Sequence, residues 1–121
     1  MTSNDDLTRF IVSSFPSVWT LEILLLLKRD RRPWTRADLI GTLRASDLVV
    51  SQALESLLAG GLASVSDQGA EYLPISDAVA DCVDKVEELY AMKPDKVRRM
   101  IVTSSASGIT AFADAFRLRK D

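Results

Sequence analysis

The side chains that could do chemistry in this sequence are arginines and small polar residues, not the groups of a catalytic centre. The chain has no histidine, and its one cysteine is Cys82, so the usual zinc ligands and the usual general base are missing. It also has no paired-carboxylate motif, glycine-rich phosphate loop or nucleophile–base pair. We therefore predict that the chain is not an enzyme and binds neither a metal nor a cofactor.

The basic residues fall in one short segment beside a long acidic one. Residues 28–44 carry six basic and two acidic side chains, a net charge of +4, whereas residues 45–95 carry two basic and ten acidic, a net charge of −8. Clustered arginines suit phosphate, because the planar guanidinium pairs with phosphate oxygens in bidentate geometry. The predicted phosphate-binding residues are Arg31, Arg32, Thr35, Arg36 and Arg44.

Two short helices joined by a tight turn are predicted to hold these residues, over 35–62. Thr35 can cap the first helix, with Asp38 at the spacing of a capping box. Ser46 can cap the second helix, which covers about residues 46–59. The glycine pair at 60–61 ends it, because glycine adopts the left-handed conformation without a Cβ clash.

The second of these helices has one apolar side and one polar side. At 100° per residue the two sides separate cleanly, and the polar side carries Glu55 but no lysine or arginine. A glutamine such as Gln52 matches the major-groove edge of adenine. The candidate base-reading residues are Ser46, Leu48, Ser51 and Gln52.

The other elements follow from capping residues, prolines and hydrophobic periodicity. They are helices at 5–14 and 18–28, a hairpin between residues 62 and 75 with turn residues at 67–69, a helix at 77–92, another from Pro94 and a last one after Gly108. We predict a short third strand at Trp34 on the edge of the hairpin. We also predict that Trp19 and Trp34 are core anchors, with stacking on a ligand as the minor alternative.

These elements predict a single domain over 1–121, mainly α with a small β-hairpin. It divides into N-terminal helices at 1–28, a helix-turn-helix and wing at 33–75, and C-terminal helices at 76–121. The acidic N-terminus is not a secretory signal, and no apolar run is long enough to span a bilayer. A single cysteine fits a reducing compartment, so we expect a cytoplasmic protein.

The order of these elements is that of the winged helix-turn-helix, and one motif supports the resemblance. Ser51-x-x-Leu54-x-x-Leu57-x-x-x-Gly61-Leu62 resembles the recognition-helix signature of bacterial regulators of the MarR and ArsR type. The resemblance covers about residues 17–75, and the C-terminal helices match no family that we can name. It implies a DNA-binding transcriptional regulator that places helix 46–59 in the major groove.

In such regulators, helices that flank the wing commonly form a homodimer, which the resemblance suggests here. Helix 77–92 has an apolar stripe along one side, and this stripe is then intramolecular core, dimer seam or a mixture of both. The candidate dimer residues are Val79, Val83, Val86, Leu89, Tyr90, Phe112 and Phe116.

An alternative hypothesis is a winged helix used as a protein-interaction or adaptor module, without DNA binding. The acidic segment at 45–95 would dock on a basic partner, and Leu48 on the exposed face would anchor the contact. The basic residues at 28–44 would then be solvated charges, or ion-pair partners of the acidic helix 77–92.

Overall fold

A computed structural model of the chain describes residues 4–103. This part of the chain is mainly helical, with one two-stranded antiparallel sheet. The elements are α1 (Asn4–Ser14), α2 (Val18–Arg29), α3 (Arg36–Leu43), α4 (Asp47–Ala59), β1 (Ala63–Ser66), β2 (Gly69–Tyr72) and α5 (Asp77–Met92), and residues 94–103 are also helical. The prediction of a mainly α chain with a hairpin is confirmed. The helix predicted after Gly108 lies outside the described residues.

Four of the helices begin at a side-chain hydroxyl that accepts a hydrogen bond from the first turn, as predicted. The capping residues are Ser17, Thr35, Ser46 and Ser76. The capping box at α3 is complete, since Asp38 N donates to Thr35 Oγ1 at 3.0 Å and Thr35 N donates to Asp38 Oδ2 at 3.2 Å. These hydrogen bonds, the one from the Thr35 backbone above all, hold the pKa of Asp38 below its ordinary value. The cap therefore fixes where α3 starts.

Helix α2 forms the centre of the core, as its apolar sequence predicts. It packs on α4 and on β2, while α1 packs on α5. Each fully buried leucine contributes about 1.5–3 kcal/mol relative to an exposed one. The buried residues of α2 are Thr20, Leu21, Ile23, Leu24, Leu25 and Leu27.

The hairpin has a tighter turn than the sequence suggests. Only residues 67–68 separate the strands, and Gly69 is already in β2, paired with Ser66. Gly69 has a φ of +136°, which a residue with a Cβ rarely adopts. The glycine therefore both closes the turn and starts the second strand.

Trp34 adds a third, one-residue strand to this hairpin. Trp34 N donates to Ala70 O at 2.9 Å, and Ala70 N donates to Trp34 O at 2.7 Å. This isolated antiparallel bridge confirms the predicted edge strand. It joins the hairpin to the residue that immediately precedes the cap of α3.

The apolar stripe of α5 is divided between the core and its margin. Val83, Val86 and Tyr90 are buried inside the subunit, and the Tyr90 hydroxyl donates to Glu22 Oε1 of α2. These three predicted dimer residues are therefore corrected to core residues, because α5 packs with the stripe facing α1 and α2. Val79 and Leu89 are half-buried. Phe112 and Phe116 lie outside the described residues.

The two tryptophans have different environments. Trp34 is buried, with 5% of its surface exposed, whereas 39% of Trp19 is exposed. The prediction of a core anchor is confirmed for Trp34 and wrong for Trp19. Trp19 lies in the first turn of α2, just after the bend at Phe15 and Pro16, where the helix is only partly covered.

Candidate nucleic-acid interface

Helices α3 and α4 are joined by a sharp turn that starts at an arginine. Arg44 caps the C-terminus of α3 with a left-handed backbone, φ 55° and ψ 38°, a conformation that is uncommon outside glycine. Ala45 is buried, and the Ser46 hydroxyl accepts from Val49 N at 3.1 Å. Three residues, 44–46, thus suffice to redirect the chain, and the Arg44 side chain is left exposed at the turn.

The outward face of α4 carries the predicted base-reading residues. Leu48 is 65% exposed, Gln52 and Glu55 are also exposed, and Ser51 is half-buried. Val50, Ala53 and Leu57 are buried on the opposite side. The predicted division of the helix into two faces is confirmed, and the outward face carries the negative charge of Glu55.

A small cleft lies between α4 and the hairpin, and we call it the hairpin cleft. Its volume is about 190 Å³, and its lining includes Thr35 and Arg36 at the start of α3, Leu54 of α4, and Ser66 and Asp67 at the tip of the hairpin. Because the bridge at Trp34 fixes the hairpin beside the cap of α3, two of the predicted phosphate-binding residues share one surface with the hairpin. The structure therefore brings together part of the predicted site.

Arg36 also contacts helix α4 directly. Its guanidinium lies 3.5 Å from Asp47 Oδ1 in the first turn of α4, and both side chains are more than half exposed. An exposed ion pair of this kind contributes about 0–1 kcal/mol. Arg36 therefore lies near α4, but its ion pair with Asp47 is weak.

The two arginines before α3 are ordered by aromatic rings. The Arg32 guanidinium lies 3.8 Å from the Trp34 ring centroid, and its Nε donates to Asp30 Oδ2 at 3.1 Å. The Arg31 guanidinium lies 4.9 Å from the Tyr72 ring centroid. Stacking leaves the edge of a guanidinium free to donate. Both side chains are exposed, at the side of the hairpin base.

Acidic side chains of helix α5 form ion pairs with basic side chains at the end of α2. Lys28 Nζ lies 2.7 Å from Glu87 Oε1 and 3.2 Å from Asp84 Oδ1, and Arg29 Nε lies 3.0 Å from Glu87 Oε2. The hydrogen bond to Glu87 raises the pKa of Lys28 despite its partial burial. Burial alone would raise the pKa of Glu87, but the hydrogen bonds from the two cations outweigh it and lower that pKa. The ion-pair alternative thus applies to Lys28 and Arg29 and not to the four predicted phosphate-binding arginines.

A second depression lies on the other side of α4, and no pattern in the sequence predicts it. It runs between α4 and the corner that joins α1 to α2, and we call it the corner groove. Trp19, Gln52 and Glu55 line a part of about 410 Å³. Gln52, a predicted base-reading residue, therefore lies away from Thr35 and Arg36, across the width of α4.

Other relationships at the interface were missed by sequence reasoning, and only one of them had a local signal. Arg32 precedes Trp34 by two residues in an extended segment, so their side chains project to the same side, and the stacking was predictable. The contact between Arg36 and Asp47 joins two helices across a turn, and no periodicity in the sequence indicates it.

Over 4–103, no group of three histidine, cysteine, aspartate or glutamate side chains is arranged to hold a metal ion. In the same range, no single helix is long and apolar enough to cross a membrane. Helices α1 and α2 meet that requirement only as a pair, and a bend of 100° separates them.

No family model, curated protein or solved structure matches this chain. The resemblance in residues 17–75 therefore has no relative to support it.

Proposed function

We propose that the chain is a winged-helix DNA-binding transcriptional regulator, with α4 as its recognition helix and the hairpin as its wing. The observation that carries the proposal is the hairpin cleft. Thr35 and Arg36, at the start of α3, line it together with the tip of the hairpin. In this mode of binding the first helix of the pair crosses the phosphate backbone while the second enters the major groove. Phosphate contacts and a groove-reading helix then lie side by side.

The affinity would come from arginines outside α4. Arg36 and Arg44 flank the turn, and Arg31 and Arg32 stand on aromatic rings at the base of the hairpin. Their present partners do not prevent phosphate binding, because exposed ion pairs are weak and a phosphate oxygen offers a stronger acceptor. These contacts supply affinity without sequence preference.

Sequence preference would come from the exposed face of α4. Gln52 has the amide geometry that pairs with adenine, and Leu48 is an apolar group of the kind that contacts a thymine methyl. Ser51 is half-buried and reaches less far. The Ser46 hydroxyl accepts from Val49 N and can still donate to a neighbouring phosphate or base.

The proposed protein is a homodimer, since two copies of α4 read two half-sites one turn of DNA apart. Of the predicted dimer residues in the described range, Val79 and Leu89 are only partly buried and remain accessible to a second copy. A dimer interface along α5 would therefore use fewer residues than the apolar stripe of its sequence contains.

Selection of genomic DNA fragments by the purified protein at low salt tests this function. We expect recovery of a limited set of fragments that share a two-fold-related motif. If no fragment is retained at low salt, DNA binding is wrong for this protein.

A second candidate function is a protein-interaction module on the same face. It is favoured by two exposed leucines of α4, Leu48 at 65% and Leu58 at 53%, and by the lack of any lysine or arginine in α4 or the hairpin. Affinity capture from lysate with the wild type and with Leu48→Ser tests it. A partner retained by the wild type and lost by the variant is the expected result, and identical capture by both would contradict it.

A further inference from the structure

We propose that the corner groove binds a short basic peptide segment of a partner protein, with an arginine or lysine side chain between Trp19 and Glu55. The site lies on the opposite side of α4 from the hairpin cleft. It adds to the second candidate function a site that Leu48 and Leu58 do not line. It rests on that candidate and does not depend on DNA binding.

The lining of the groove joins an aromatic ring to a carboxylate. Trp19, 39% exposed, borders the groove from the first turn of α2, and Glu55 borders it from α4. Glu55 is the one charged side chain in this part of the lining. An aromatic face next to a carboxylate attracts a cation, because the ring quadrupole and the negative charge act in the same direction.

Some of the polar groups at the groove are unused within the described part of the chain, whereas Ser17 and Thr20 of the same lining are hydrogen-bonded to each other. In residues 4–103, Glu55 has no ion pair, and neither the Trp19 indole N–H nor the Gln52 amide has a hydrogen-bond partner. Together these groups can accept from a cation and bond the backbone of a peptide.

The length of the groove favours a peptide over a small amine. A second hollow of about 500 Å³ adjoins the first, since both are lined by Pro16 and Ser56, and it extends to Val12 of α1 and to Gly60. From Val49 to Gly60, α4 rises about 16 Å at 1.5 Å per residue. An extended chain covers that distance in about five residues, whereas a small amine would occupy only the part at Glu55.

The two hollows also set the spacing within the peptide. Glu55 and Ala59 are one helical turn apart, about 6 Å along the axis, which equals two residues of extended chain. The cation at Trp19 and Glu55 is therefore followed or preceded, two residues away, by an apolar side chain near Val12. A probe with this pattern is the pentapeptide Ala-Arg-Ala-Leu-Ala with blocked ends.

The tryptophan indole signals of the full-length protein, labelled with ¹⁵N, provide the readout. Trp19 lines the groove, while Trp34 is buried and its N–H already donates to Asp30 O at 2.9 Å. We expect the pentapeptide to move the Trp19 indole cross-peak and leave that of Trp34 in place. The matched peptide Ala-Glu-Ala-Leu-Ala should leave both in place. No movement of the Trp19 signal, or equal movement with both peptides, would overturn the proposal.

Two variants separate a specific contact from a change in folding. Glu55→Gln keeps the shape of the side chain and is expected to weaken binding of the arginine peptide by about tenfold, the usual effect of losing one charge-assisted hydrogen bond. Glu88→Gln removes an exposed carboxylate from α5 and is expected to leave binding unchanged. Equal affinities of the two variants would overturn the assignment of the cation to Glu55.

Other occupants give different results in the same spectra. If a duplex DNA oligonucleotide moves the Trp19 signal and the arginine peptide does not, the groove belongs to nucleic acid and the proposal is wrong. If the Trp19 signal of the free protein changes on dilution, the occupant is a second copy. If it changes in the full-length variant Arg117→Glu with Arg119→Glu, the occupant is the chain's own basic tail. Either result would overturn the proposal, whereas failure of DNA selection alone would leave it intact.

Discussion

Trp34 and Ala70 are joined by two backbone hydrogen bonds, of 2.9 Å and 2.7 Å, that fasten the hairpin beside the start of α3. This bridge determines that the tip of the hairpin and the cap of α3 line one cleft. It requires a close approach at Gly69, where an added Cβ would lie 2.5 Å from Trp34 O. The contact surface proposed for DNA therefore depends on the close backbone approach that Gly69 permits.

Gly69→Ala is expected to lower the free energy of unfolding by about 2–4 kcal/mol, because both the φ of +136° and the approach to Trp34 penalise a Cβ. Urea unfolding measures it. Gly41→Ala is the control, since a Cβ at Gly41 in α3 meets nothing within 4 Å and a helical alanine gains up to about 1 kcal/mol over glycine. Equal stabilities for the two variants would contradict the role given to the bridge.

The two tyrosine hydroxyls are expected to differ in what they contribute to stability. The Tyr90 hydroxyl donates to Glu22, so Tyr90→Phe should lower the free energy of unfolding by about 1–2 kcal/mol. The Tyr72 hydroxyl is buried and has no hydrogen-bond partner among the described residues, so Tyr72→Phe should change stability by less than about 0.5 kcal/mol or increase it. Thermal unfolding of both variants checks this contrast. A larger loss in Tyr72→Phe than in Tyr90→Phe would show that the contacts are wrongly assigned.

The pairing of Glu87 with Lys28 and Arg29 predicts a pH-dependent contribution to stability. Because the pKa of Glu87 is lowered in the folded chain, its contribution is present above the unfolded pKa, about 4.3 for glutamate, and is lost as the pH falls through the folded value. Glu87→Gln should therefore cost about 1–2 kcal/mol at pH 7 and much less at pH 3. Urea unfolding at both pH values measures the difference. Glu88→Gln on the exposed side of α5 should show neither effect, and a pH-independent cost at Glu87 would contradict the ion pairs.

Gln52→Ala is expected to change which bases the protein prefers. Loss of one bidentate amide contact removes about 1–3 kcal/mol of discrimination at one position. Selection from a pool of random duplexes measures the preference. Gln68→Ala removes the chain's other glutamine, which lies in the hairpin turn, and should keep the wild-type preference in the major groove. Identical preferences for Gln52→Ala and the wild type would remove Gln52 from the reading face.

The helix starts could be predicted from the sequence because their chemistry is local. Ser17, Thr35, Ser46 and Ser76 each bond to a backbone amide three residues away, and the sequence alone determines such a contact. The glycine pair at the end of α4 is similar, since Gly61 has a φ of +70°. The two-residue hairpin turn was less clear because Gly69 suits both a turn and the start of a strand.

What could not be predicted depends on how the elements pack. The stripe of α5 has one pattern in sequence, but packing on α1 and α2 buries Val83 and Val86 and leaves Val79 half-exposed. Trp19 is a large aromatic residue of the kind usually found in a core. It lines a groove instead, because the chain bends between α1 and α2 just before it. The side of α4 that Gln52 occupies likewise follows from the position of α2. Periodicity assigns a face to a helix, and only the neighbouring helices determine what covers that face.

The most direct test of DNA binding is a titration of a labelled genomic duplex with the wild type and with Arg36→Ala plus Arg44→Ala, at a series of salt concentrations. We predict that the wild type loses affinity linearly in log salt, with a slope of about −0.9 per phosphate contacted. The double variant should bind all sequences more weakly, with a slope smaller in magnitude by about 2 per subunit. Lys93→Ala plus Lys96→Ala, which removes the same charge near the end of α5, should match the wild type. If the wild type shows no salt-dependent binding, or if both double variants lose the same slope, the proposed interface is contradicted.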